Sequence, residues 1–334
     1  MSGDVIGLDI GGANIKAVHS SGVALTERFE LWKSPALLED QLSRVLTRLP
    51  PASMLALTMT GELCDCYPSR AAGVISILDA AETIADGSPV IVWSIEGCFM
   101  SMKKARETPM QVAACNWLAL AQWACEWTEL DRLLVIDLGS TTMDVVPCWN
   151  GRPRPCARRD PERLAAGELL YTGATRTPVC ALLSEGIACE FFATTLDVGL
   201  VLGDIAEDAS DFSTADGRAA TKEAAHNRLA HLLCGDGDTV SADAVQELAQ
   251  AARQAQLGKI ANAIKAAVSR MGQAPQALFC SGSGECLIEQ SIAGRPQLAR
   301  IRRISLSSKL GPEISAAACA NAVIELARGI KSNA

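Results

Sequence analysis

Two short stretches set the limits on how this chain can fold: "VIGLDIGGANIKAV" near its start and "LLVIDLGSTTMDVV" near its middle. Each runs from apolar residues into an Asp, reaches a Gly two positions later, and then turns apolar again. A dinucleotide fingerprint or a P-loop would pass from strand through Gly into helix. Here the chain resumes with "IKAV" and "MDVV", rich in β-branched residues, so each stretch reads as strand, tight turn and returning strand. A tight hairpin turns several backbone N–H groups the same way, and Gly11, Gly12 and Gly139 admit an anion without a Cβ clash. Two such hairpins facing one another would grip a polyphosphate from both sides. Asp9 and Asp137, at the strand ends, are then placed to hold a hydrated Mg2+ that neutralises the phosphates. Asn14 and Lys16 decorate the first turn; Ser140, Thr141, Thr142 and Asp144 decorate the second. Either hairpin alone reads equally well as an ordinary turn capped by its Asp. Two of them, half a chain apart, favour the phosphate grip.

A length of 334 residues is long for one core and points to two lobes in close contact, residues 1–130 and 131–334, with the last helix returning to their interface. The net charge of -8 argues against nucleic acid as a partner, and no apolar run approaches a membrane span. The thirteen Cys are scattered and odd in number, so they read as reduced, buried thiols. With no signal-like stretch at the start, the expected compartment is the cytoplasm.

Between and beyond the hairpins, "ALTMTGELCD" and "VIVWSIEG" read as strand-to-loop transitions. Helical spacing over Met110–Trp127 puts Val112, Trp117, Leu120, Ala121 and Ala124 on one side. The Pro/Arg-rich "CWNGRPRPCARRDPERL" reads as the most exposed segment. Helices are expected over Ala219–Leu233 and Ser241–Met271. "ALFCSGSGECLIEQ" then gives strand, Gly turn and helix around Gly282 and Gly284, before a short strand and a closing small-residue helix. His226, His231 and Cys234 lack a further ligand of good spacing, and "CDC" at Cys64 and Cys66 is spaced wrongly for zinc, so no structural zinc site is expected.

The order of phosphate hairpin, connecting segment, phosphate hairpin, Gly turn and final helix resembles the sugar kinase/Hsp70/actin superfamily. That resemblance implies an α/β, two-lobed actin-like (ribonuclease H-like) fold with an interlobe cleft, and places Gly282 and Gly284 at a nucleoside-contacting turn. Within the superfamily, "GLDIGGANIKA", "MTGELCDCY", "IDLGSTTMDVVP", "GELLYTGATRTPVCAL" and "EFFATTLDVGLVLGD" are similar to hydantoinase/oxoprolinase-related proteins linked to tetrahydromethanopterin C1 transfer. The likeness runs over nearly the whole chain. Related enzymes of methanofuran biosynthesis join an aminomethylfuran pyrophosphate to γ-glutamyltyramine and release pyrophosphate.

The resemblance implies a transferase with two small-molecule partners, the furan pyrophosphate and a phenolic acceptor of tyramine or tyrosine type. It implies Mg2+, and admits ATP without requiring it. Lys16 would add a point charge for the pyrophosphate. Glu62, with Thr60 just after a strand, would contact the amine or phenol and serve as general base; the plainer reading is a Glu capping the next helix turn. Arg176 and Thr177 would meet an acidic substrate end such as a glutamyl carboxylate, or form a surface turn. Asn14 stands where many kinases of the superfamily carry Thr or Ser, which argues against routine ATP hydrolysis while leaving nucleotide binding open. An ATP-dependent small-molecule kinase or hydantoinase-like enzyme of the same fold, and a non-catalytic actin-like protein, remain the alternatives.

Overall fold

The computed structural model describes residues 3–332. Its first sheet is built from β1 (Val5–Ile10), β2 (Asn14–His19), β3 (Ala24–Arg28), β4 (Met54–Met59), β5 (Val90–Trp93) and β6 (Phe99–Ser101), ordered β3-β2-β1-β4-β5-β6. The second uses β7 (Arg132–Leu138), β8 (Met143–Trp149), β9 (Arg152–Pro153), β10 (Leu169–Leu170), β11 (Ala277–Ser281) and β12 (Arg302–Ser305), ordered β10-β8-β7-β11-β12, with β9 also on β8. The two sheets share one plan. An antiparallel hairpin comes first, β1–β2 or β7–β8. Parallel strands then add on the other side of its first strand, β4 and β5 or β11 and β12. This duplicated topology is the actin-like fold.

β1, β4 and β11 are covered on both faces and buried at every position, so their residues are mostly apolar, with Asp9, Thr58 and Ser281 the polar exceptions near their C-terminal ends. The outer face of the first sheet packs Leu8, Ile10 and Leu57 against the helices Leu38–Thr47 and Arg70–Ala85. The outer face of the second packs Ile136 and Leu138 against the helices Ala242–Arg270 and Glu285–Ala293. Between the sheets lie two helices, Asn116–Thr128 and Ala318–Ser332, which pack on each other and join both sheets into one core. The final helix lies so close to β1 that a Cβ on Gly7 would sit 2.1 Å from the carbonyl oxygen of Ala320. It therefore lies directly against the first sheet.

The one-sided helix expected over Met110–Trp127 is corrected. A 3-10 turn at Pro109–Gln111 precedes it, and the helix begins at Asn116. It is buried nearly all round, through Trp117, Leu118, Ala119, Leu120, Ala121, Trp123, Ala124 and Cys125, because it is sandwiched and not laid on a surface. A further helical region, Thr195–Leu202 and Lys222–Leu232 against the start of Ala242–Arg270, forms its own apolar cluster. Arg28 on β3 pairs with Asp211 in the loop joining the first two of these helices, tying that region to the first sheet.

Candidate active site

The two hairpins close alike. Ile10 pairs with Ile15 and Gly11 N–H donates to the Asn14 carbonyl at 2.9 Å; Leu138 pairs with Met143 and Gly139 N–H donates to the Thr142 carbonyl at 2.9 Å. The turns then meet each other, Asn14 Nδ2 donating to Ser140 Oγ at 3.0 Å. Gly11, Gly12, Gly139, Thr141 and Thr142 are all part-exposed there. Strand register fixes what lies behind the turns: Asp9 stands opposite Lys16, and Asp137 opposite Asp144.

Asp9 is buried; its Oδ2 accepts from Asn116 Nδ2 at 3.4 Å, while its Oδ1 has no partner. Burial raises its pKa, with Lys16 opposing. Burial also works against the Lys16 ammonium, but the carboxylates of Asp9 and Asp137 outweigh it and raise that pKa. Asp137 is held by Ser281 Oγ at 2.7 Å and approached by Cys319 Sγ at 3.9 Å. Gly282 and Gly284 brace the same strand end: Gly284 N–H donates to the Leu138 carbonyl at 2.8 Å, and a Cβ on Gly282, at φ +97°, would fall 2.2 Å from that oxygen.

Two features of the candidate site were not visible in the sequence. Arg163, from the segment read as exposed, is 1% exposed and lies in the helix Asp160–Ala166. Its guanidinium pairs with Asp144 at 2.9 Å, donates to the Glu168 carbonyl at 3.1 Å, and stacks on Trp117 at 3.9 Å from the ring centroid. The reading of that segment as mostly solvated is thus corrected: an ion pair and a ring contact retain part of it inside. The second feature is a bridge from Glu62 through Arg70 to Asp160, with Arg70 Nε 2.8 Å from Glu62 and Nη2 2.5 Å from Asp160. No local pattern signals either contact; at most, the density of Arg in "RPRPCARRDPER" hinted that some of these cations had anionic partners.

Glu62 is 1% exposed, with Oε2 unpartnered. Burial raises its pKa, against the pull of Arg70. It caps no helix, since Ser69 caps Arg70–Ala85. Thr60 is exposed beside Gly11, its N–H donating to the Ile10 carbonyl at 2.9 Å. Thr177 does not face the cleft as expected: it is buried, its Oγ1 accepting from Gly173 N–H at 2.8 Å. Arg176 anchors its backbone N–H on the Ser140 carbonyl at 3.0 Å and lays its guanidinium on Trp32 at 4.4 Å. Nucleophilic cysteine chemistry is disfavoured beside Gly12, because burial pushes the Cys64 thiol up to about 11.

Burial lifts the Asp144 pKa to about 6, with Arg163 opposing. A folded pKa above the unfolded value, about 3.9, means the native state keeps a proton that the unfolded chain has lost. This contribution to stability is fully present below about pH 4 and is lost as pH rises through about 6. Asp144→Asn should therefore flatten the fall in stability between those pH values, read from urea midpoints across the range. An unchanged slope would count against the shift.

Among the described residues, no group of three or more His, Cys, Asp or Glu is arranged to hold a metal. Mg2+ nevertheless suits a site of one or two carboxylates completed by phosphate oxygens and water. Asp9 and Asp137 could provide that pair, and Asp9 Oδ1 has no partner. Asp9, Asp137 and Asp144 outnumber Lys16 and Arg163, so a polyphosphate here needs an added cation.

A hydantoinase/oxoprolinase family profile matches residues 53–322, most of the chain. The chain belongs to the hydantoinase/oxoprolinase family. Among curated proteins it is similar to the "(4-{4-[2-(gamma-L-glutamylamino)ethyl]phenoxymethyl}furan-2-yl)methanamine synthase" of Methanocaldococcus jannaschii, 33% identical over 256 residues, covering 73% of this chain and 76% of that one. The protein of the same name from Methanococcus vannielii is 29% identical over 192 residues, covering 55% and 85%. Among solved structures, nucleotide-free acetone carboxylase matches with a TM-score of 0.55 at 11% identity, over 96% of this chain and 70% of that one. At that identity the likeness concerns the fold alone. No helix among the described residues of this family member is long and apolar enough to cross a membrane.

Proposed function

We propose that this chain is a cytoplasmic transferase of methanofuran-type cofactor biosynthesis, joining an aminomethylfuran pyrophosphate to γ-glutamyltyramine, or a tyrosine-type phenol, as an aryl ether. The observation that carries the reading is the meeting of two like-built hairpins at Asn14 and Ser140, in a chain whose curated relatives are named for a phenoxymethylfuran product. The furfuryl carbon–oxygen bond breaks, and its electron pair leaves with pyrophosphate. The furan oxygen delocalises the cation left on carbon. The phenol oxygen bonds to that carbon and gives up its proton.

Lys16 and the turn amides stabilise charge as it develops on the departing pyrophosphate, and the cleft sets the phenol beside the carbon. Mg2+ on Asp9 and Asp137 would neutralise phosphate charge. Glu62 Oε2 is a free, buried acceptor whose raised pKa suits it to take the phenol proton. Departure of pyrophosphate demands little activation of the nucleophile. Glu62→Gln should therefore slow turnover by roughly tenfold, below the usual range for a general base, and by less than loss of Asp9. The reverse ranking, from steady-state kcat, would mean that phenol deprotonation limits the rate.

The reading is tested by incubating the protein with Mg2+, the furan pyrophosphate and the phenolic acceptor, with and without ATP. Ether formed without ATP supports it. ADP release driven by a small substrate, with no ether, would favour a kinase or hydantoinase-like activity on the same fold.

A further inference from the structure

We infer that Arg176 is a further catalytic residue: a guanidinium clamp, held against Trp32, for the pyrophosphate that the two hairpins grip. The inference rests on the proposed function for the identity of the ligand, and on geometry for the site. Arg176 and Trp32 each extend one phosphate turn. Leu31 N–H donates to the Gly12 carbonyl at 2.9 Å, which fixes Trp32 beside the first turn. The N–H groups of Thr175 and Arg176 donate to the Ser140 carbonyl at 3.2 and 3.0 Å, which fixes Arg176 beside the second. The side chains then meet, the guanidinium 4.4 Å from the Trp32 ring centroid. The contact thus links the chain beside the first turn to the chain beside the second, the two turns that Asn14 and Ser140 bring together.

What makes this a site is the state of the guanidinium. Among the described residues it makes no hydrogen bond and no ion pair, whereas Arg70, Arg163 and Arg228 are each committed to carboxylates. A guanidinium directs its five N–H donors outward in its own plane, and with no protein acceptor on them they are open to a ligand. Its neighbourhood includes Glu30 at electrostatic range and the Cys64 thiol, which packs against Gly12. Partial burial without a paired anion is unfavourable for a cation, and a bound phosphate relieves that. The groups behind the turns have no positive surplus, so a cation beside the turns adds to the charge of Lys16. A glutamyl carboxylate is the competing ligand. The ties to Gly12 and Ser140 favour the phosphate, because they place the stack at the turns themselves.

Calorimetric titration of the full chain with inorganic pyrophosphate and Mg2+ tests the clamp without relying on turnover. Arg176→Ala should weaken pyrophosphate binding by about 30-fold, in line with loss of charge-assisted hydrogen bonds. Arg176→Lys, which keeps the charge but loses the planar fork, should weaken it by about fivefold and decides the matter if the Ala variant folds poorly. γ-Glutamyltyramine binding should change by less than about twofold in both variants. Pyrophosphate should also alter tryptophan emission in the wild type but not in Trp32→Phe. Two results would overturn the clamp: pyrophosphate binding unchanged in both variants, or a loss confined to the γ-glutamyl acceptor. A wild type that binds pyrophosphate through Arg176 yet forms no ether supports the clamp while defeating the proposed reaction.

Discussion

Asp9→Asn lowers kcat by about 100- to 1000-fold, the range seen when one preorganised electrostatic contact is removed from an active site, while the melting temperature holds or rises. Both halves follow from the same geometry. The carboxylate is buried, lacks a partner on Oδ1, and has its pKa raised by desolvation, so the fold gains nothing from its charge. An amide of the same shape removes that burden and still accepts from Asn116 Nδ2. What disappears is the unpartnered anionic oxygen and the first counter-charge of Lys16. Kinetics across a Mg2+ series, with melting curves on the same samples, would check this. A variant of full activity would remove Asp9 from the site, and one that merely unfolds would make it a packing residue.

The largest expected stability effect lies away from the hairpins. Arg228→Ala should destabilise the protein by about 3–5 kcal/mol, the usual loss when one partner of a buried ion pair is deleted. Arg228 Nε lies 2.7 Å from Asp197 and Nη1 lies 3.0 Å from Asp216, with Arg228 and Asp197 both about 1% exposed. Asp197 also accepts from Thr194 N–H at 2.8 Å, closing the capping box of the helix Thr195–Leu202. Without the guanidinium a desolvated carboxylate is stranded inside the helical region, and a cavity opens beside Leu229 and its neighbours. The double variant Asp197→Leu with Arg228→Leu should recover much of the loss, because apolar replacement removes both desolvation penalties. Urea denaturation measures all three proteins. A loss under about 1 kcal/mol for Arg228→Ala would show that water reaches the pair.

The hairpins were legible because their signal is local. Apolar alternation with β-branched residues resumes within a few positions of each Gly, and a strand period of two then fixes Asp9 against Lys16 and Asp137 against Asp144. The strand, Gly turn and helix around Gly282 were legible for the same reason. Arg163 was not. Its burial depends on Trp117, far earlier in the chain, arriving beneath it once the helix Asn116–Thr128 is enclosed between two sheets. The same enclosure hid the all-round burial of that helix, since alanines pattern alike on one face or on all. Arg70 and Asp160 were missed because their bridge spans the cleft, and adjacent sequence carries no record of it. The stacking of Arg176 on Trp32 belongs to this class too.

In the proposed reaction the hairpins hold a pyrophosphate that departs from carbon and is never passed on as a phosphoryl group. An aminomethylfuran pyrophosphate carrying 18O in the bridging carbon–oxygen position tests this directly. After turnover with the phenolic acceptor and Mg2+, mass spectrometry should find the label in released pyrophosphate and none in the ether. Label retained in the furan product, or phosphate on the phenol, would show phosphorus–oxygen cleavage and contradict that reaction.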